Sequence, residues 1–127
     1  MGCVPGRATL AALVALWLLL PAADGWSHAY LVRSTPAARA AVARSPERVQ
    51  LWFNERLEPA YSRVSVWNAD ARRVDAGDVQ VGPAERTRLS VGVPPLPAGA
   101  YTVKYRVLSV DGHIVESQFE FTVRGTP

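Results

Sequence analysis

The chain has 127 residues, a net charge of +3 and a hydrophobic fraction of 49%. Its positive charge is weak and dispersed, which excludes the basic surface typical of a nucleic-acid-binding protein. Cys3 and Met1 are its only cysteine and methionine, and both lie in an N-terminal segment that we expect to be removed. The remaining domain therefore has no disulfide, and nitrogen and oxygen must supply any metal ligands.

Residues 1–27 have the features of a cleaved secretory signal peptide. A positively charged start leads into a long apolar run, and Gly25 and Ser27 are small residues at the −3 and −1 positions for cleavage before His28. We therefore expect export to the periplasm and a mature domain of residues 28–127, which is long enough for one modest core.

Two alternatives to this cleavage remain. Cleavage after Ala23 would leave a short overhang before His28. An uncleaved membrane anchor is the other alternative, but the apolar run is shorter than the roughly 18 residues that a spanning helix needs.

Alternation of apolar and polar residues with a period of two predicts the strands of the mature domain. The predicted strands cover 29–34, 48–53, 63–67, 74–82, 88–93, 100–110 and 115–124. Inward faces are predicted for Val49, Leu51, Phe53, Val64, Val66, Leu89, Val91, Val93, Tyr101, Val103, Tyr105, Val107, Phe119, Phe121 and Val123. The strand at 74–82 is weak and typical of a sheet edge.

Residues 37–44 are rich in alanine but are followed at once by Pro46, so we expect a loop there with at most one turn of helix. About seven short strands separated by turn residues predict an all-β fold, an antiparallel Greek-key β-sandwich or small barrel. One face of each sheet should contact water, since alternation with one polar face is typical of antiparallel sheets.

The sequence Ser109-Val110-Asp111-Gly112-His113 ends the longest predicted strand. It places a carboxylate and an imidazole two residues apart, around a glycine that lets the backbone turn. The other histidine, His28, becomes the first residue if the signal is cut as expected. Its α-amine, with an ordinary pKa of about 7.7–8.0, and its ring Nδ1 can chelate one metal ion.

This set of three nitrogens and one oxygen suits a tetragonal Cu(II) centre, and Cu(II) has the highest affinity among the divalent first-row metals. Zinc is the competitor because His and Asp also bind it. The chelating amine favours Cu(II), and the absence of sulfur ligands argues against Cu(I). Taken singly, each histidine is more often a surface or hydrogen-bonded residue than a ligand.

Five stretches between His28 and Val123 carry a resemblance to a known family. They are His28-Ala29-Tyr30-Leu31 with Ser34-Thr35-Pro36, Leu51-Trp52-Phe53-Asn54-Glu55, Gly99-Ala100-Tyr101-Thr102-Val103, Ser109-Val110-Asp111-Gly112-His113, and Phe119-Glu120-Phe121-Thr122-Val123. Together they closely resemble the CopC-type periplasmic copper-binding proteins. The histidine start combined with the S-x-D-G-H sequence is more specific than either motif alone.

The resemblance implies a cupredoxin-like, immunoglobulin-like β-domain that carries or buffers copper in resistance and homeostasis. Proteins of this family often work beside an inner-membrane copper permease of the CopD type, which the resemblance implies as a partner here. The family's Cu(II) ligands carry over onto His28, Asp111 and His113. Because this chain lacks the methionine-rich segment of some members, the resemblance implies a Cu(II)-only protein. We expect a monomer without catalytic activity.

The chain departs from the family pattern at Arg39, Ala71 and Ser117. These residues stand near positions where relatives commonly have glycine, so we expect altered loop geometry there.

Other candidates have ordinary interpretations beside the functional ones. Glu116 is either an outer metal ligand or a solvated surface charge, and Glu55 and Glu58 suit exposed ion pairing. Trp52 and Trp67 both fall on the polar phase of their strands. They form either a shared aromatic patch or separate contacts under a loop or against a sheet.

Two other functions remain as alternatives. A copper oxidoreductase with a histidine brace would use the same N-terminal histidine, but a carboxylate ligand disfavours reduction to Cu(I). A metal-free immunoglobulin-like interaction module would use the Asp-Gly-His sequence as an ordinary turn. Extension of the mature N-terminus by one residue separates the module from a copper protein, since only copper binding depends on the free amine.

Overall fold

The computed structural model describes Gly2 and residues 29–125. Within them lie eight β-strands and one short 3₁₀ turn, Pro59–Tyr61. The strands are β1 Leu31–Thr35, β2 Ala41–Val42, β3 Arg48–Phe53, β4 Arg63–Asn68, β5 Gln80–Val81, β6 Arg88–Gly92, β7 Gly99–Leu108 and β8 Ile114–Val123. No helix in this described part of the chain is long and apolar enough to cross a membrane.

The strands form two four-stranded sheets. The order is β1-β3-β6-β5 in the first sheet and β2-β8-β7-β4 in the second. Neighbouring strands run antiparallel except for β2, which pairs in parallel with β8. The predicted all-β sandwich is therefore confirmed, with one short parallel pair that the sequence did not indicate.

The core lies between the sheets and consists of the residues that alternation predicted to face inward. Most are less than a tenth exposed, while Val93 and Phe119 are only partly buried. Phe53 meets Tyr105 edge to face across the two sheets, with ring centroids 5.5 Å apart. Because aromatic pairs of this kind add stability beyond their buried area, this contact helps to fix how the two sheets stack.

Strand β2 lies inside the segment that the sequence predicted to be a loop or a helical turn. Ala41 and Val42 pair in parallel with Thr122 and Val123, and the Arg39 N–H donates to the Glu120 carbonyl at 2.7 Å. This pairing joins residues about 80 positions apart, so a local pattern of alanines does not reveal it.

The weak edge strand is confirmed but is reduced to the two residues of β5. In the segment that precedes β5, hydrogen bonds to carboxylates replace the continuous ladder of backbone hydrogen bonds that a longer strand would form. Asp75 accepts hydrogen bonds from the Val66 and Gly77 N–H groups at 2.9 and 3.0 Å. Asp78 likewise accepts one from the Gly92 N–H at 2.7 Å.

Two of the three departures from glycine have unusual backbone conformations. Arg39 has φ 64° and Ala71 has φ 58°, the left-handed region that favours glycine because it carries no Cβ. Both loops thus keep a backbone that suits glycine while carrying a side chain. Ser117, in contrast, lies within the regular strand β8.

The two tryptophans do not form a shared aromatic patch. Trp52 lies on the first sheet beneath the Arg33 guanidinium, 3.9 Å from the ring centroid. Trp67 lies on the second sheet, with the Lys104 ammonium 4.9 Å from its ring. Because each occupies the outward phase of its own strand, the two rings face opposite sides of the sandwich. Each is covered by a cation instead.

Candidate metal centre

A tight hairpin loop presents Asp111 and His113. Strands β7 and β8 pair over ten positions up to Leu108 and Ile114, which leaves residues 109–113 as the connection. The Ser109 N–H donates to the His113 carbonyl, and the Gly112 N–H donates to the Ser109 carbonyl, both at 2.9 Å. Gly112 has φ 92°, a conformation that a side chain would strain, so the glycine is required by the turn.

One oxygen of Asp111 collects the contacts of the loop. The buried Ser109 hydroxyl donates to Asp111 Oδ1, and the His113 N–H donates to the same oxygen at 3.3 Å. His113 Nδ1 lies 3.1 Å from it. Within the described chain no hydrogen bond reaches Asp111 Oδ2, so that oxygen remains available for a ligand.

The electrostatics of the loop favour an ionised carboxylate. The hydrogen bond from Ser109 is the main cause that lowers the pKa of Asp111 below its ordinary value. Partial desolvation opposes this effect, and the contacts with His113 add to it. The Asp111 and His113 side chains are 34% and 30% exposed, so both are partly accessible from solvent.

The two described residues do not complete a metal site. Among residues 29–125 no group of three or more His, Cys, Asp and Glu side chains is placed to hold an ion. Glu116, Glu55 and Glu58 therefore do not join the pair. Glu116 lies on β8 with its side chain 75% exposed and its Oε2 4.0 Å from Arg106 Nε, in agreement with the solvated interpretation.

The predicted third ligand, His28, lies outside the described residues. The residues that follow it enter the sandwich in a defined way. Ala29 is buried, and the Tyr30 N–H donates to Asn54 Oδ1 at 2.7 Å while the Asn54 N–H donates to the Tyr30 carbonyl at 3.2 Å. Asn54 thus fixes the start of the described chain to the segment that follows β3.

The same segment also contacts the 109–113 loop. The Val110 N–H donates to the Arg56 carbonyl at 2.9 Å, and Leu57 forms an antiparallel bridge with Ser109. Residues 54–57 therefore connect the start of the described chain to the loop, and both lie at one end of the sandwich. Asn54 and Ser109 were predicted only as parts of motifs. The hydrogen bond between Tyr30 and Asn54 joins residues 24 positions apart and has no local signature, whereas the Ser-x-Asp spacing of Ser109 and Asp111 could have indicated the second one.

Comparisons with known proteins place this architecture in a family. The model of the CopC domain matches residues 31–124. Copper resistance protein C of Escherichia coli is 32% identical over 105 residues, which cover 77% of this chain and 82% of that protein. The copper transport protein CutJ of Bacillus subtilis is 26% identical over 112 residues, 87% of this chain, but the match spans only 21% of that longer protein.

Among solved structures, CopC from Methylosinus trichosporium OB3b is 40% identical to this chain with a TM-score of 0.71. The superposition covers 79% of this chain and 97% of that one. The match to the domain model and the shared β-sandwich agree with the motifs read from the sequence. The chain belongs to the CopC family.

Proposed function

We propose that the exported form of this chain binds Cu(II) through His28, Asp111 and His113 and carries or buffers copper in the periplasm. One observation carries the proposal. Asp111 and His113 are in contact, each about a third exposed, on a loop that shares one end of the sandwich with Ala29. A mature chain beginning at His28 would start next to Ala29, within about two residue lengths, roughly 7 Å, of Tyr30.

The family context supports the ligand identity. Copper resistance protein C and the copper transport protein CutJ are named for copper, and the chemistry of the proposed ligands agrees. The α-amine and the imidazoles supply nitrogen, and the free oxygen of Asp111 supplies the carboxylate, a set that suits Cu(II). Met1 is the only methionine of the chain, and the exported form would lose it with the signal peptide. Cu(I) would then have no thioether ligand in this protein.

The role that fits this set is a carrier that hands copper on, and an inner-membrane permease of the CopD type is the partner that the family suggests. A small monomer suits that role. An ionised carboxylate next to the metal stabilises the 2+ state, which opposes the redox cycling that an oxidoreductase requires. If the copper-loaded protein produced peroxide from ascorbate and oxygen at the rate of free copper or faster, the carrier role would be wrong.

The test is intact mass of the exported protein with and without equimolar Cu(II). We expect a mass that begins at His28 and an increase by one copper ion. A matched variant carries one extra residue before His28, which removes the free amine next to the imidazole. We expect its affinity for Cu(II) to fall by more than about 100-fold. Equal affinity of the extended and parent proteins would contradict the assignment of His28.

A further inference from the structure

The exposed apolar side chains of the described domain are concentrated at the end that carries the loop. Five large apolar residues are about half exposed or more. Of these, Val32 lies within the edge strand β1, where the pairing with β3 is irregular. The other four, Tyr30, Tyr61, Val110 and Ile114, lie in segments hydrogen-bonded or paired to the connection 54–58 or to Leu108. Single exposed apolar residues are ordinary, but a cluster of them marks an interaction surface.

Two of these residues, Tyr61 and Ile114, form a notch together with Leu108. Tyr61, Leu108 and Ile114 line a cavity of about 240 Å³ together with Arg63 and Arg106. Tyr61 is 67% exposed and Ile114 is 58% exposed, so they stand as walls around the notch. Since a water molecule takes about 30 Å³ in the liquid, the space admits one large apolar side chain.

Two of the residues that line the notch, Arg63 and Arg106, carry positive charge. Arg63 has no salt bridge within residues 29–125, and Arg106 reaches only Glu116 at 4.0 Å. The Arg106 and Glu116 side chains are 61% and 75% exposed, so this contact is weak. An apolar notch between two arginines therefore fits an apolar side chain that is flanked by carboxylates. Tyrosine and arginine are also residue types enriched in protein interfaces.

The notch borders the candidate copper loop. Ile114, one of its walls, follows His113 in the chain, and consecutive Cα atoms are about 3.8 Å apart. Leu108 pairs with Ile114 directly before the loop begins. A partner that inserts a side chain here would hold its neighbouring residues beside the metal ligands.

We propose that this notch docks a protein partner that presents one apolar side chain between carboxylates, and that copper passes between the 109–113 loop and this partner. The passage of copper rests on the proposed function, whereas the docking rests on the notch. A protein side chain fits better than a membrane, because a bilayer is met by a protruding apolar surface and not by a concave one.

The test uses the copper-free protein and two blocked synthetic peptides. The first peptide has one phenylalanine with two glutamates on each side, and the second has lysines in place of the glutamates. In an amide NMR titration we expect the acidic peptide to shift the signals of Tyr61, Leu108 and Ile114 with a Kd on the order of 1 mM. The lysine peptide should produce no such shifts.

Matched variants separate the notch from general exposure. Ile114→Ser and Arg63→Ser should weaken binding of the acidic peptide about fivefold or more. Val32→Ser and Arg44→Ser change an equally exposed valine and an exposed arginine elsewhere, and they should bind it as the parent does. Equal loss in all four variants, shifts that map elsewhere, or no binding of the acidic peptide would overturn the proposal.

Two further measurements test the other occupants of the notch. The first is sedimentation with vesicles of phosphatidylglycerol and phosphatidylethanolamine, and binding that depends on Ile114 would assign the surface to a membrane. The second is the oligomeric state, and a dimer of the parent that Ile114→Ser dissociates would assign the surface to a second copy of this chain. Either result would overturn the proposal. Cu(II) binding by Ile114→Ser should equal that of the parent. The parent protein could bind the acidic peptide without binding copper. In that case the docking proposal would hold, and the proposed passage of copper would be wrong.

Discussion

Two aspartates of this domain both accept hydrogen bonds from nearby groups, but they differ in which of their oxygens remain available to a ligand. Both oxygens of Asp75 are occupied: Oδ1 accepts from Arg73 and the Gly77 N–H, and Oδ2 accepts from Arg73 and the Val66 N–H. Its side chain is fully buried. Within residues 29–125, Asp111 takes its contacts on Oδ1 alone, and its side chain is 34% exposed.

The comparison teaches how to distinguish a structural carboxylate from one that can bind a ligand. The pKa values of both aspartates are lowered, so a perturbed pKa alone does not separate them. What separates them is that Asp111 has an oxygen without a hydrogen bond among the described residues, is partly exposed and lies next to an imidazole. We therefore expect mutations of the two residues to have opposite consequences for stability and for copper.

The largest effect on stability is expected for Asp75→Asn. The change leaves Arg73 without its ionic partner. It also leaves one acceptor oxygen in place of the two that accept hydrogen bonds from Arg73, Gly77 and Val66. We expect a loss of about 3 kcal/mol in the free energy of unfolding, the low end of the range for a broken buried pair because Arg73 is half exposed. Urea unfolding measures this loss. Affinity for Cu(II) at a temperature where the variant is folded should not change.

The pH dependence of stability provides a second measurement on Asp75. Burial raises its pKa, but the hydrogen bond from Arg73, those from Val66 and Gly77, and the Arg73 charge outweigh burial and lower it. Ionised Asp75 therefore stabilises the fold fully above the unfolded pKa of about 3.9, and the contribution is lost as the pH falls through the lower folded pKa. The stability difference between parent and Asp75→Asn should narrow on acidification below about pH 4. A difference that widened would contradict the ion pair.

The largest effect on copper in this comparison is expected for Asp111→Asn. An amide in place of the carboxylate removes the anionic oxygen ligand while its carbonyl can still accept from Ser109. We expect Cu(II) affinity to fall by more than about 100-fold, beyond the range for outer-shell residues, with little change in unfolding. Competition titration against a chelator measures the affinity. Asp78→Asn is the control, since the Asp78 side chain is also accessible, at 53% exposed, but it is bound to Arg48 and the Gly92 N–H.

Much of the fold was predictable because its strands alternate cleanly, and residues such as Leu51 and Val103 lie where the period of two placed them. Strand β2 was not predictable, since its partner residues on β8 are distant in sequence and its own composition resembles a helical turn. The Asp111 and His113 pair followed from one short motif, and the structure brings them into contact. What the sequence did not indicate was the choice between the two oxygens of Asp111, which depends on the rotation of a buried serine.

That serine provides the next prediction. Ser109→Ala removes the hydroxyl that donates to Asp111 Oδ1 and lets the carboxylate rotate. We expect Cu(II) affinity to fall about tenfold, the lower end of the range for residues that orient a ligand, together with a change in the Cu(II) EPR spectrum. The matched control is Ser62→Ala. Ser62 is another buried serine, and its hydroxyl accepts from the Leu108 N–H. Ser62→Ala should lose comparable stability without an effect on copper, and a similar copper loss in both variants would assign Ser109 a purely structural role.

The smallest effect concerns the turn that leads into the Asp75 segment. Ala71 has φ 58°. This conformation costs an L-residue about 1–2 kcal/mol and glycine almost nothing. On folding, however, glycine loses about 0.5–1 kcal/mol more conformational entropy than alanine does. Ala71→Gly should therefore increase the free energy of unfolding by about 0.5–1 kcal/mol, measured by urea unfolding. Ala69→Gly, in the same turn and equally exposed but without a positive φ, should decrease it. If both glycines stabilised or both destabilised the protein, the backbone strain assigned to Ala71 would be wrong. Neither change should alter copper binding, because this turn supports the structural aspartate and not the one that faces solvent.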